Sequence, residues 1–541
     1  MNEIEKYFNK IPKFFENRGL HSTQFIKDFI EPPDSWLNNP YEFDSMDTAV
    51  DAILSNPRKN PIFIHGDCDA DGVSGTALLY KYLKKIGFQV YYYIPNRSKE
   101  GHLISKKAID YAISIGSELM ITCDIGMSSL EEIQYAHENG LNTIITDHHK
   151  ALDVIPSALV IINPWLEENS NISFREYSGS AVAFKLCHAI NISLKLELDY
   201  LHELMALASI GIIADKVPII NENRYISYYG LKMIIKGKNK GISAISKNLF
   251  PYLAEIDIGK IVRVINMTTK LDDPTISVKL LTSNQPPQIN LYTNMIVKSF
   301  RKNQIIFNEI IHSSIRKVYS QDYKKNKSIF ILLDSDSAYN GAVANTLSNK
   351  FDSPCIVLSK MSEGELYKGS CRSVHDINLF SFIESKQSIL FALGGHPMAA
   401  GFTIEQQNIE ELKSSFFSYM TAKNASIKKH KISRVLDASL KLSDIDIKFI
   451  EFIKQFKPYG TRNSIPTFIS KDIKVVGKPI IFGKSKDSIK FKVSQDRTVF
   501  NSVGVGLINE FEKLVTENKL NIEYTISNNK NDILLNILGV S

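Results

Sequence analysis

Pro61-Ile-Phe-Ile-His65-Gly-Asp67-Cys-Asp69-Ala-Asp71-Gly72 sets a short apolar run directly before three carboxylates spaced two residues apart. The run is short and uniform enough for a buried strand, and Val73 to Lys85 reads as the helix that follows it. Four similar runs come next: Gln89–Ile94, Glu118–Cys123, Asn142–Thr146 and Ala158–Ile162. Strands alternating with helical stretches predict a parallel sheet covered on both faces. Ligands of such sheets bind beyond the carboxyl ends of the strands. The acidic run occupies that place after the first strand, Cys123-Asp124-Ile-Gly126 after the third, and Thr146-Asp147-His148-His149 after the fourth. A further carboxylate, Asp215 in Ile213-Ala-Asp215, ends an apolar helical stretch in which an unpaired charge would be costly.

Carboxylates and imidazoles without thiolates suit Mn²⁺ or Mg²⁺ better than structural zinc. So acidic a cluster would repel itself and raise its own pKa values unless divalent cations were present. Two such ions about 3.5–4 Å apart can polarise a phosphoryl group, activate water and hold the leaving oxygen. A DxDxDG alone is as well explained by a solvated loop or a calcium-type turn. Four clusters in order, each behind the right element, are far more specific.

Around this centre the 541 residues divide into five segments. Residues 1–45 read as a helical lead-in with little functional signal, and 46–245 as the first α/β domain. Residues 246–320 form a helical connector in which Asn290 to Val318 is one long amphipathic helix. Residues 321–425 form a second α/β domain, with Ser328–Leu333 and Cys355–Leu358 as strands, and 426–541 a small β-barrel with one helix near 443–457. The apolar fraction of 44% and charged fraction of 23% exclude a disordered chain, and a net charge of +6 permits nucleic-acid binding without requiring it. Five scattered cysteines with no CxxC pair argue against a disulfide framework. No run resembles a signal peptide or a membrane span, so the expected compartment is the cytoplasm. No heptad run stands out, which makes a monomer the expectation.

Three features could grip a substrate. Gly394-Gly395 before His396 would let backbone amides approach a phosphate, or would simply make a tight turn. Ser370 and Arg372 form a polar strip able to hold a phosphate, or an ordinary surface loop, and Arg97 follows the second strand. The barrel region carries Lys428, Lys429, Lys431 and Arg434, then Phe456, Tyr459, Phe468, Phe482 and Phe491, a mixture suited to stacking bases in a basic groove.

These residues resemble the DHH phosphoesterase superfamily, named for the triplet that stands here as Asp147-His148-His149. The likeness runs from Arg18-Gly-Leu-His to the C-terminus and is greatest to the bacterial single-strand-specific exonucleases of that superfamily. It takes in Ile94-Pro-Asn-Arg97, Leu159 to Pro164, Tyr177 to Phe184, Ala214 to Pro218, Glu222-Asn-Arg224, Lys368 to Ser373, Leu393 to Gly401 and Phe456 to Asn463. The resemblance implies a DHH domain with a parallel sheet, joined by a long helix to a DHH-associated α/β domain, and an OB-type barrel. It implies His65, Asp69, Asp71, Asp124, His148 and Asp215 as metal ligands, with Asp67 a further ligand or a hydrogen-bonding neighbour. His149 would lie beside the scissile phosphate as the catalytic partner of Asp147, and Arg97, Ser370 and Arg372 around a terminal 5′-phosphate. The implied activity is 5′-to-3′ hydrolysis of single-stranded DNA to mononucleotides with two Mn²⁺ or Mg²⁺ ions, in DNA repair and recombination. A helicase and a single-strand-binding protein would be its partners. A phosphodiesterase for short oligoribonucleotides or cyclic dinucleotides is the alternative, and a catalytically weak scaffold the other.

Two departures concern the substrate-facing side. Where the family usually reads R-I-N-A-A-G-R-L, this chain has Val264-Ile-Asn-Met-Thr-Thr-Lys-Leu271, and Glu100-Gly-His-Leu replaces the commoner E-G-Y-G.

Overall fold

A computed structural model describes residues 3–101, 103–150, 154–166, 172–251, 256–268, 271, 273–320, 327–361, 364–374, 377–426, 435–483, 486–517, 519–529 and 532–541. Lys428, Lys429, Lys431 and Arg434, together with His102, Thr269 and Lys270, lie outside the described residues.

The first sheet contains β1 (Ile62–Gly66), β2 (Val90–Tyr93), β3 (Leu119–Cys123), β4 (Asn142–Thr146) and β5 (Val160–Ile162). All neighbours are parallel, in the order β2-β1-β3-β4-β5. The chain leaves β1 toward β2 on one side and returns to β3 on the other, so a crevice opens between the ends of β1 and β3. Gly66 pairs with Cys123 and Cys123 with Thr146, which brings three strand ends level. The helix after β1 spans Ala70–Lys85 and starts three residues earlier than its apolar pattern suggested. Asp69 is the reason: its carboxylate accepts from the amides of Asp71 and Gly72 at 2.9 and 3.2 Å and caps the first turn. Helices Gly179–Ser193 and Asp199–Ala214 pack on this one and are buried over most of their length, so neither shows a polar stripe in sequence.

The connector is more than a linker. Helices Ile258–Thr268 and Ile276–Thr282 send Ile261, Val262, Ile265, Val278 and Leu281 into the first domain's core. Val264, Ile276 and Leu280 pack instead against Ile289, Ile296 and Phe300 of the long helix. That helix, Pro286–Ser320, starts four residues before its apolar periodicity, at two prolines tolerated because first-turn amides have no helical partner. Its far end places Ile310 and Val318 in the core of the second α/β domain. There β6 (Ile329–Leu333), β7 (Cys355–Lys360), β8 (Leu366–Arg372), β9 (Leu390–His396) and β10 (Ala399–Glu405) lie in the order β6-β7-β8-β10-β9. Only β6 and β7 are parallel.

The last region is a closed barrel of β12 (Phe468–Phe482), β13 (Ser488–Gln495), β14 (Thr498–Gly504), β16 (Asp532–Val540) and β15 (Leu520–Asn529), with the two-residue β11 (Ala438–Ser439) beside β12. The N-terminal helices are not an isolated lead-in. Tyr7, Phe14, Phe15 and Phe29 share one core with Phe449, Phe452, Phe456 and Phe468. Arg18, buried, bonds Asp437 at 2.6 Å and the Asn463 side chain at 3.1 Å, fixing this union. The Arg224 guanidinium then ties the first domain to both, donating to the carbonyls of Phe29, Phe456 and Lys457 at 2.8, 3.0 and 2.7 Å. No described helix is long and apolar enough to cross a membrane.

Candidate metal centre and substrate surface

Asp71 opens the helix after β1 and is almost fully buried, yet its carboxylate is satisfied. The amides of Gly179 and Ser180, at the start of the next packed helix, donate to it at 2.7 and 2.9 Å. A helix N-terminus favours an anion through these free amides and its dipole. Glycines make the approach possible. A methyl group on Gly211 would collide with the Asp71 carboxylate, and one on Gly179 would collide with Asp124. Asp124 itself sits at φ 63°, a left-handed conformation that turns its side chain back over the end of β3.

Among the described residues, three groups of side chains bring donor atoms within 4.8 Å of one another: Asp67, Asp69 and Asp124; Asp71, His148 and Asp215; and Asp124, His148 and His149. Asp124 and His148 recur, and their facing atoms lie 3.2 Å apart. Both atoms, Asp124 Oδ1 and His148 Nε2, are buried without a hydrogen-bond partner. Burial raises Asp69, Asp71 and Asp124 above the usual carboxylate range, Asp124 well above it with Asp71 adding to the effect. Burial with Asp71 and Asp69 also pushes Asp215 up to about 7. Burial lowers His148, which favours the neutral imidazole a metal needs. Orphaned oxygen and nitrogen donors among crowded carboxylates fit hard or borderline divalent cations.

Asp147 has a different task. Its Oδ1 accepts from the His149 ring Nδ1 at 2.7 Å and from the His148 and His149 amides, and its Oδ2 accepts from the Met127 amide at 3.1 Å. Burial alone would raise Asp147, but these bonds, the His149 ring foremost, hold it below its ordinary value. The same ring bond raises His149 to about 9, so the ring is protonated at neutral pH with its other nitrogen unpinned. Asn163 steadies the triplet by donating to the His149 carbonyl at 2.8 Å.

His65 is in none of the three donor groups. Buried in β1, it accepts from the Ser105 amide through Nε2 at 3.2 Å, and burial lowers it to about 4. Behind it, Glu100 accepts from the hydroxyls of Tyr93 and Ser105, each at 2.7 Å. Arg97 is exposed at the start of the short helix Arg97–Glu100, close enough for its charge to act on Asp69.

In the second domain, Gly394, Gly395 and His396 form no strand-to-helix turn. They end the edge strand β9, and the pairing aligns them with the other candidates. Arg372, Ala399 and His396 lie side by side across β8, β10 and β9, as do Ser370, Gly401 and Gly394. The intervening row, Cys371 and Ala400, turns into the apolar core, so both polar rows share the opposite face. Arg372 bonds Ser370 Oγ at 3.3 Å, and a methyl group on Gly341 would come within 3.2 Å of its guanidinium.

Several contributors were not singled out from sequence. The Gly179 and Ser180 amides, Asn163 and Ser105 act through backbone or through partners far away in the chain. Asn266 accepts from the Ala70 amide at 2.7 Å, which sets the end of the helix Ile258–Thr268 against the acidic loop. Val264 is fully buried, which accounts for an apolar residue where the family has arginine.

Comparison with known proteins agrees with this architecture. Three family models match: the DHH family, N-terminal domain, over residues 61–212; the DHHA1 domain over 328–422; and the RecJ OB domain over 436–532. The single-stranded-DNA-specific exonuclease RecJ of Bacillus subtilis is 28% identical over 95% of the chain, which spans 65% of that protein's length. The Escherichia coli RecJ is 26% identical, with 89% of the chain and 88% of that protein covered. The structure of Thermus thermophilus RecJ in complex with Mn²⁺ shares the fold with a TM-score of 0.79 over 98% of the chain and 75% of its own, at 21% identity. An exonuclease RecJ bound to manganese matches at a TM-score of 0.59 and 25% identity, covering 70% of the chain and 94% of its own. In these three domains, in this order, the chain is similar to the RecJ proteins of the DHH family.

Proposed function

We propose that the protein is a metal-dependent exonuclease that hydrolyses single-stranded DNA from the 5′ end to mononucleotides, using two Mn²⁺ or Mg²⁺ ions. One observation carries the chemistry: the donor groups Asp67-Asp69-Asp124 and Asp71-His148-Asp215 adjoin at the unpartnered pair Asp124 and His148. Ions held there would polarise the phosphodiester, activate water and stabilise the leaving oxygen. The chain's own residues do the rest. Asp147 aims His149 and favours its protonated ring, whose other nitrogen would donate to the leaving oxygen or stabilise the transition state. His65 is read as a further ligand, with Ser105 and Glu100 as the residues that orient it.

Arg372, Ser370 and His396, on one sheet face with Gly394, would take the terminal 5′-phosphate together with Arg97, and Gly395, in the row between, would let the edge strand approach it. The barrel, bearing Tyr459 and Phe482, would bind the strand farther from its end. The relatives named for action on single-stranded DNA support this substrate, and the RecJ structure bound to manganese supports the cofactor. The reading extends to DNA repair and recombination in the cytoplasm, as a monomer working with a helicase and a single-strand-binding protein. The five free, buried cysteines suit a reducing compartment.

The test uses equal-length single- and double-stranded DNA labelled at either end, with Mn²⁺ and with Asp147→Ala and Asp215→Ala as controls. The expected result is metal-dependent release of 5′-labelled mononucleotide from the single strand, lost in both variants. Release from the 3′ end, or none, overturns the proposal.

A further inference from the structure

The start of the helix Asn340–Phe351 is not absorbed by the assignments above. This helix packs Val343, Ala344 and Leu347 on Cys355 and Val357 of β7. Those two residues pair with Arg372 and Ser370 of β8, so the helix lies over the sheet face that carries both phosphate candidates. Asn340, buried, fixes where the helix begins. Its Nδ2 donates to the Lys368 carbonyl on β8 at 2.7 Å, and its Oδ1 accepts from Ser359 Oγ on β7 at 2.6 Å. Just before it, the Tyr339 hydroxyl donates to Asn303 Oδ1 on the long helix at 2.6 Å.

Gly341 comes next. Its backbone is helical, a conformation open to any residue, and a glycine there only weakens the helix. What it supplies is space. The atoms nearest a methyl group at this position would be Arg372 Nη2 at 3.2 Å, Ser370 Oγ at 3.5 Å and Arg372 Cζ at 4.0 Å. Arg372 Nη1 is already engaged, by Ser370 Oγ at 3.3 Å and the Cys371 carbonyl at 2.7 Å. Nη2, the nitrogen that faces Gly341, has no hydrogen-bond partner among the described residues. A guanidinium anchored at one nitrogen, with the other beside a hydroxyl over a missing side chain, suits a tetrahedral oxyanion.

We propose that Gly341 is the specificity-determining residue for the phosphorylated end: the volume it leaves in front of Arg372 and Ser370 is the seat of the terminal phosphate. The assignment rests on the 5′-phosphate reading above and deepens it. It also reaches the product, because hydrolysis from the 5′ end leaves the terminal phosphate on the released mononucleotide. The seat that recognises the substrate therefore also retains what is released.

Gly341→Ala and Gly341→Leu test this in the whole chain, and both residues favour a helix more than glycine does. The readout is the ratio of affinities for a twelve-nucleotide strand ending in a 5′-phosphate or a 5′-hydroxyl, by fluorescence anisotropy in EDTA. The ratio is expected to fall about threefold with alanine and about tenfold or more with leucine, as the charge-assisted bonds are lost. Affinity for the hydroxyl-ended strand, and kcat on it with Mn²⁺, should stay at the wild-type values. Inhibition by 2′-deoxyadenosine 5′-monophosphate should weaken in the same order, and inhibition by deoxyadenosine should not change. Equal losses for both strands would show a merely structural role and overturn the assignment. So would an unchanged ratio in both variants while Arg372→Ala lowers it, an outcome that leaves end recognition itself intact. A wild-type ratio near one overturns end recognition and the seat together.

Discussion

Asp147 and Asp124 are both buried carboxylates at strand ends, and their partners separate their roles. Asp147 spends both oxygens on amides and the His149 ring, whereas one Asp124 oxygen has no partner. Asp147→Asn should therefore lower kcat by about 10²- to 10⁴-fold, the span of a lost general acid. Manganese stoichiometry by calorimetry should stay at the wild-type value; its loss would show Asp147 to be a ligand instead. Gly211 makes the opposite point, since it touches no substrate. Gly211→Ala must displace the Asp71 carboxylate, and the expected outcome is weakened manganese binding in a protein of near-native circular dichroism. Wild-type affinity in that variant would refute the close-packing argument. The acidic run and the Asp-His-His triplet were legible because they follow apolar runs. What holds them was not: Asp71 meets Gly179 and Ser180 more than a hundred residues away, and no local pattern encodes that meeting.

At the scale of elements, the strands of the first sheet were readable because they are short apolar runs, the central β1 and β3 buried on both faces. Helix limits were less so. Asp69 began one helix early by capping it, and paired prolines did the same for the long helix. The second sheet carries a prediction of its own kind. Its polar rows place Arg372 level with His396 on one face, a relation visible only once β10 is seen to lie between β8 and β9. Arg372→Ala is expected to reduce the preference for 5′-phosphorylated over 5′-hydroxyl ends about tenfold or more, through loss of a charge-assisted bond. Competition between the two substrates measures it, and an unaltered preference would remove Arg372 from end recognition.

For the whole molecule, the union of the two chain ends is what sequence could not disclose. An amphipathic helix announces an apolar face and not its cover, and the cover for Phe14 and Phe15 is Phe452 and Phe456. Arg224 joins the first domain to that union through backbone carbonyls and by lying over the Phe29 ring at 4.4 Å. Arg224→Ala would strand several buried carbonyls and should cost about 3 kcal/mol or more. Limited proteolysis should then release the barrel with the N-terminal helices before the first α/β domain is cut. Cleavage in wild-type order and at the wild-type rate would mean that the lock is redundant.

This union also has a consequence in time. During synthesis the first thirty residues leave the ribosome roughly four hundred residues ahead of the helix Ile447–Lys454 they must cover. At ~5–20 residues per second, that delay is on the order of 20–80 s. Through it, Tyr7, Phe14, Phe15 and Phe29 lack the side of their core that Phe449, Phe452 and Phe456 supply, and the nascent chain carries a sticky aromatic segment. A growing chain of this kind needs a chaperone over Tyr7 to Phe29 until the barrel region arrives, and ribosome profiling of chaperone-bound nascent chains should show occupancy that begins once these residues emerge and ends only after Ile447–Lys454 has emerged.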